Sequence, residues 1–138
     1  MASILTAAAA RACVLLAGAG SVATGQVPGA ASPRTVTVRM IDQGPYGMAF
    51  DPTRVTVHHG DTVQFVQAGN LPHNVAFKSV PTASNLGALR VGPLLTVRGE
   101  TFAIVIDGRF AVGKHVYVCP PHEVLGMAGI VYVVDGPE

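Results

Sequence analysis

The chain has 138 residues, 49% of them apolar and only 12% charged, with nine basic and eight acidic side chains. That length suits one domain with a single two-layer core. The near balance of charge, with no basic patch and no long charge run, argues against nucleic acid as a partner.

Residues 1–25 hold no acidic side chain and one basic one, Arg11, ahead of an apolar run over 12–19 and the small residues Ser21, Val22, Ala23, Thr24 and Gly25. This is the pattern of a cleaved export signal, too short and Gly-rich for a good spanning helix. It predicts a protein of the periplasm or the outer face of the cell envelope, with no stable membrane insertion after cleavage. Cleavage would take Cys13 and Arg11, leaving Cys119 as the one thiol and eight basic residues against eight acidic. An exported domain with a single cysteine has no internal disulfide, so its thiol is expected to be reactive, partnered or metal-bound.

Residues 26–34, rich in Pro, Gly, Ala and Ser, read as a flexible leader. The domain proper, 35–138, then runs with period two. Residues 35–40 (TVTVRM) and 54–58 (RVTVH) alternate polar and apolar. Gly60 and Asp61 turn into a strand over 62–66, a short strand is expected over 74–77, and 101–106 (TFAIVI) forms a longer one, ended by Asp107 and Gly108. Residues 114–119 and 128–134 close the domain, while 79–93 holds one helical turn or an irregular crossing. With no helical period beyond residue 25, the predicted class is all-β, an antiparallel sandwich of seven to eight strands.

Chemistry concentrates in residues 117–129, YVCPPHEVLGMAG, where Cys119, His122 and Met127 follow the spacing C-x2-H-x4-M. Thiolate, imidazole and thioether are the donors a soft redox metal such as copper prefers, and Met is a poor ligand for almost anything else. His73, in GNLPHNVAF, comes from a different strand and supplies a second imidazole. One sulfur, two nitrogens and a weak axial sulfur make the donor set of an electron-transfer copper site. Strand parity places Cys119 on the face of His115 and Tyr117, opposite Val116 and Val118. Pro120 and Pro121 fix φ in the loop that presents His122, and Gly126 permits a tight turn before Met127.

Each residue alone has a plainer reading: a buried Cys as a small hydrophobe, a Met as core filler, a His after Pro as a turn residue. Their conjunction at fixed spacing, in a β-rich exported chain with no other thiol, outweighs those readings. His58 and His59 adjoin a turn and are expected to be solvated, His115 to be partly buried or at a strand edge, and Glu123 receives no role. Rival chemistries lack their parts. No G-x-S-x-G frames a nucleophile, no Gly-rich loop precedes a helix to cradle phosphate, and structural zinc takes four Cys or His ligands. No His-x-His pair offers further copper centres, so no enzymatic activity is expected.

On these residues the chain resembles the cupredoxins, in particular the plastocyanin, pseudoazurin and amicyanin group. The resemblance spans residues 35–134, through Phe50-Asp51-Pro52, Val55-Thr56-Val57 and Gly60-Asp61-Thr62-Val63, and is strongest at Asn70-Leu71-Pro72-His73-Asn74-Val75 and over 119–127. It implies a Greek-key sandwich with one type 1 copper at its loop-bearing end, His73, Cys119 and His122 equatorial and Met127 axial. It further implies that Asn74 ties the two ligand loops together and donates its backbone N–H to the Cys119 sulfur, whereas Pro121 has no N–H to give. The implied function is one-electron transfer between exported redox proteins (a cytochrome, reductase or oxidase) by a monomer that docks briefly near His122, where Leu71, Pro72, Pro121, Val124 and Leu125 form an apolar rim. The alternative is a copper-binding or delivery protein with no shuttle role. Photosynthetic plastocyanins carry a Tyr before the ligand Cys, within acidic patches. Here that position is Val118 and no acidic cluster exists, which points to a bacterial carrier.

Overall fold

A computed structural model describes residues 32–42 and 47–136. The export signal expected over 1–25 and most of the leader expected over 26–34 therefore lie outside the described residues. Eight strands form two four-stranded sheets: β1 (Thr35–Ile41), β2 (Ala49–Asp51), β3 (Arg54–His58), β4 (Thr62–Gln67), β5 (Ala76–Ser79), β6 (Thr101–Val105), β7 (Gly113–Val118) and β8 (Ala128–Val134). One sheet runs β2-β1-β4-β6 and the other β3-β8-β7-β5. The period-two residues do what the alternation demands. Val38, Met40, Val55, Val57, Val63, Phe65, Val131 and Val133 all face inward and are buried. Each such side chain contributes about 1.5–3 kcal/mol by leaving water. Tyr117 stands at the centre, edge-on to Phe50 at 4.7 Å, Phe65 at 5.2 Å and Phe77 at 5.8 Å between ring centroids.

Two expectations need correction. The sandwich is not purely antiparallel: β1 pairs with β4, and β3 with β8, in parallel. Alternation reports which face is buried and is silent on strand direction, so only the tertiary pairing could show this. The short strand begins at Ala76 rather than residue 74, because His73 is engaged in an isolated bridge to Leu95, with His73 N–H to Leu95 O at 3.0 Å and the return bond at 2.8 Å. The three-residue β2 is an additional strand, too short to show a period.

Between β5 and β6 the ambiguous stretch folds as a 3-10 turn over Gly87–Arg90, and a second 3-10 helix, Pro120–Leu125, follows β7. Among the described residues, no helix is long and apolar enough to cross a membrane. One glycine is fixed by packing. Gly129 sits opposite Tyr117 in the β7–β8 register, and a Cβ there would lie 2.4 Å from the Tyr117 hydroxyl. The chain leaves β4 and β7 at the same end of the sandwich, and there the two candidate ligand loops meet.

Candidate metal centre

Cys119 is the first residue beyond β7, and parity keeps it inside with Tyr117 and His115, all three fully buried. Two prolines then start the 3-10 helix that carries His122, and the helix stops at Gly126 in the left-handed conformation, φ 82°. A residue with a Cβ is strained there. Backbone bonds close the loop on itself: His122 N–H to Cys119 O at 2.9 Å, Cys119 N–H to Met127 O at 3.0 Å, and Met127 N–H to His122 O at 3.3 Å. The loop is thus a short capped helix, more ordered than proline content alone requires.

These elements bring three donors into one cluster. The ligating atoms of His73, Cys119 and His122 all lie within 4.8 Å of one another. His73 Nδ1 and His122 Nδ1 are 3.1 Å apart, and Cys119 Sγ is 3.7 Å from the first and 3.4 Å from the second. Two nitrogens and a sulfur converging on one point, two of the three residues buried, fit a soft metal ion. His73 and Cys119 are wholly buried, whereas His122 is partly exposed. Met127 is also wholly buried, tied to the same loop by the backbone bonds above.

The electrostatics suit a metal-binding pocket. Burial, then the neighbouring His122, pushes the His73 imidazole toward its neutral form, with Asp42 acting in the opposite sense. Burial pushes the Cys119 thiol up, while the backbone N–H groups of Asn74 and His122, both bonded to the sulfur, favour its thiolate. The His122 N–H was not foreseen; its position follows from the 3-10 turn. The Asn74 side-chain oxygen lies 4.0 Å from Sγ. Pro121 sits in the first turn of the helix, where its missing N–H costs nothing.

The remaining histidines lie elsewhere. His58 borders Asp61 at 3.9 Å, at the opposite end of the sandwich, and the exposed His59 bonds through its ring to Phe110 O at 2.7 Å. His115 is not at an edge: it is fully buried, with Nε2 3.1 Å from the Ser84 hydroxyl. Glu123 pairs with Lys78 at 3.2 Å on the surface. Two residues next to the His73 loop, Asp42 and Gln67, escaped sequence reasoning. Gln67 left a trace, because parity places it inward with Val63 and Phe65, where a polar side chain must find partners.

Comparison with known proteins agrees with the geometry. Residues 36–134 match the family model described as copper binding proteins, plastocyanin/azurin family. The chain is 35% identical to plastocyanin from Scenedesmus fuscus over 101 residues, 71% of this chain and 98% of that one. Among solved structures it is similar to a mutant fern plastocyanin (TM-score 0.59, 25% identity, 72% of this chain and 100% of that one). It is also similar to pseudoazurin from Methylobacterium extorquens AM1 (TM-score 0.55, 28% identity, 75% and 78%). The chain belongs to the plastocyanin/azurin family of copper-binding cupredoxins, which are electron carriers rather than enzymes, and its cofactor is one type 1 copper.

Proposed function

We propose that His73 and His122, through their Nδ1 atoms, the Cys119 sulfur and the Met127 thioether hold the copper, and that the protein carries single electrons between exported redox partners. The observation that carries this reading is the buried convergence of two imidazole nitrogens and one sulfur within 4.8 Å. Bound copper supplies a one-electron Cu(II)/Cu(I) couple. The chain's own part is to keep the donors still. Prolines, the capped 3-10 helix and the His73–Leu95 bridge fix them beforehand, so little needs to rearrange between the two states. Asn74 joins the His73 loop to the Cys119 sulfur, and Pro121 stiffens the approach to His122.

His122 is the only nitrogen donor of the cluster with an exposed edge, which makes it the route for electrons. Val124 and Leu125 share its 3-10 helix and Leu71 lies in the His73 loop, 93%, 60% and 43% exposed. An apolar rim of this kind suits brief docking with a cytochrome, reductase or oxidase. Val118, where photosynthetic relatives carry a Tyr, is buried, and the neighbouring edge strand β5 bears Lys78 rather than an acidic cluster. This favours a bacterial carrier, a monomer of the periplasm or outer envelope face. Sequencing the mature N-terminus tests the export signal.

Copper loading should give an intense visible thiolate-to-Cu(II) band that Cys119→Ala abolishes. Absence of the band, or its survival in that variant, contradicts the assignment. Fast self-exchange with reduction by a cytochrome supports the carrier. Ready loss of copper to a chelator without such exchange supports a delivery protein instead.

A further inference from the structure

Residues 68–72 connect β4 to His73, and two side chains hold this connection. Asp42, just beyond β1, accepts the backbone N–H of Asn70 at 2.5 Å and of Leu71 at 2.6 Å, both on the same oxygen, Oδ2. Gln67, fully enclosed, donates from Nε2 to Leu71 O and, at 3.5 Å, to Leu95 O, and its Oε1 accepts the Gly69 N–H at 3.0 Å. Leu95 is itself the bridge partner of His73. Gly69 completes the fit: a Cβ there would lie 2.6–2.8 Å from the Asp42 carboxylate. The carboxylate thus occupies room that any other residue at position 69 would fill.

Resting on the copper-carrier reading above, we propose that Asp42 is a positioning residue of the metal centre. Its carboxylate clamps the His73 loop against Gln67, and its negative charge biases the site toward the oxidised metal. The charge lies on the chain that carries the ligand, since Oδ2 is bonded to the backbone N–H groups of Asn70 and Leu71 in the loop leading into His73. A fixed anion near the metal stabilises the state with the greater positive charge and so lowers the reduction potential.

Charge and clamp can be separated because both hydrogen bonds use one oxygen. In Asp42→Asn the amide oxygen can take the place of Oδ2 and keep both bonds without the charge, whereas Asp42→Ala loses both. Asp42→Asn should keep the visible band and raise the potential by about 20–60 mV, about a two- to tenfold loss of preference for Cu(II) at about 59 mV per tenfold for one electron. The rise should shrink at high salt, since the carboxylate is partly solvated. In copper-free protein, amide exchange at Asn70 and Leu71 should be slow in the wild type and Asp42→Asn and at least tenfold faster in Asp42→Ala. An unchanged or lower potential in Asp42→Asn overturns the electrostatic role, and unchanged exchange in Asp42→Ala overturns the clamp. A wild-type protein without the visible band refutes the copper reading instead, and exchange in the copper-free chain still decides the clamp.

Discussion

Tyr117→Phe should stabilise this protein. The Tyr117 hydroxyl is buried and has no hydrogen-bond partner among the described residues, and burial pushes its ionisation well above the usual range for tyrosine. An unpaired hydroxyl in an apolar interior costs about 1–3 kcal/mol by mutational measures. Removing the oxygen opens a void over Gly129 of roughly one atom, which at about 24 cal/mol per Å3 takes back only about 0.3 kcal/mol. The ring contacts with Phe50, Phe65 and Phe77 do not need the oxygen. The net gain is about 1 kcal/mol, or about 4 °C or more in Tm for a domain near 100 residues. Urea unfolding of the copper-free protein is the suitable assay, because bound metal adds its own concentration-dependent stabilisation. The midpoint should rise by about 0.3–1 M with an unchanged slope. A loss of more than about 0.5 kcal/mol would show that the hydroxyl is worth more than its desolvation cost. The converse change, Gly129→Ala, should cost about 1–3 kcal/mol or more by overpacking. Tyr117→Phe should relieve only part of that cost, since the new Cβ would also lie 2.4 Å from the ring carbon Cζ.

Met127→Leu should raise the reduction potential of the copper-loaded protein, because a weak donor that favours Cu(II) is lost; an unchanged or lower value would remove Met127 from the ligand set. At the opposite end, Asp61 accepts the backbone N–H of Arg34 and of His58, each at 3.0 Å. Burial pushes its carboxyl up, but these bonds and the Arg34 guanidinium together hold it below the usual value. Asp61→Ala should therefore cost about 1–3 kcal/mol. The wild-type contribution is complete above the unfolded pKa of about 4 and fades as pH falls through the lower folded value, so urea midpoints of wild type and variant should converge in acid. His73 and His115 both have imidazoles lowered by burial. In copper-free protein the unfolded chain then takes up protons first, and stability should decline as pH falls below about 6.5; a flat profile between pH 7.5 and 5.5 would contradict neutral burial. Ser84→Ala should destabilise by about 1–2 kcal/mol, since it leaves His115 Nε2 and the Ala111 N–H without their shared partner.

The sequence by itself determined the architecture's class and the chemistry of the centre. Period-two alternation at 35–40, 54–58 and 62–66 can bury only one face of a strand, and the outcome is the observed sandwich. Donor type is a property of the side chain, so Cys119, His122 and His73 could be read as a soft-metal set before any distance was known. The spacing of two donors along one loop is equally local. What depends on the rest of the chain was decided only in three dimensions. Parallel pairing of β1 with β4 comes from how the sheets assemble, and no residue within either strand encodes its neighbour's direction. Parity turns His115 inward, but the group that satisfies its buried ring nitrogen, the Ser84 hydroxyl, comes from a remote part of the chain. Asp42 looks like an ordinary loop acid in sequence. It becomes part of the metal centre because β1 and β4 end side by side, setting its carboxylate against the backbone N–H groups that lead to His73. Hydrogen bonds act over about 3 Å, and residues 28 and 29 positions apart come that close only when the whole sandwich has formed.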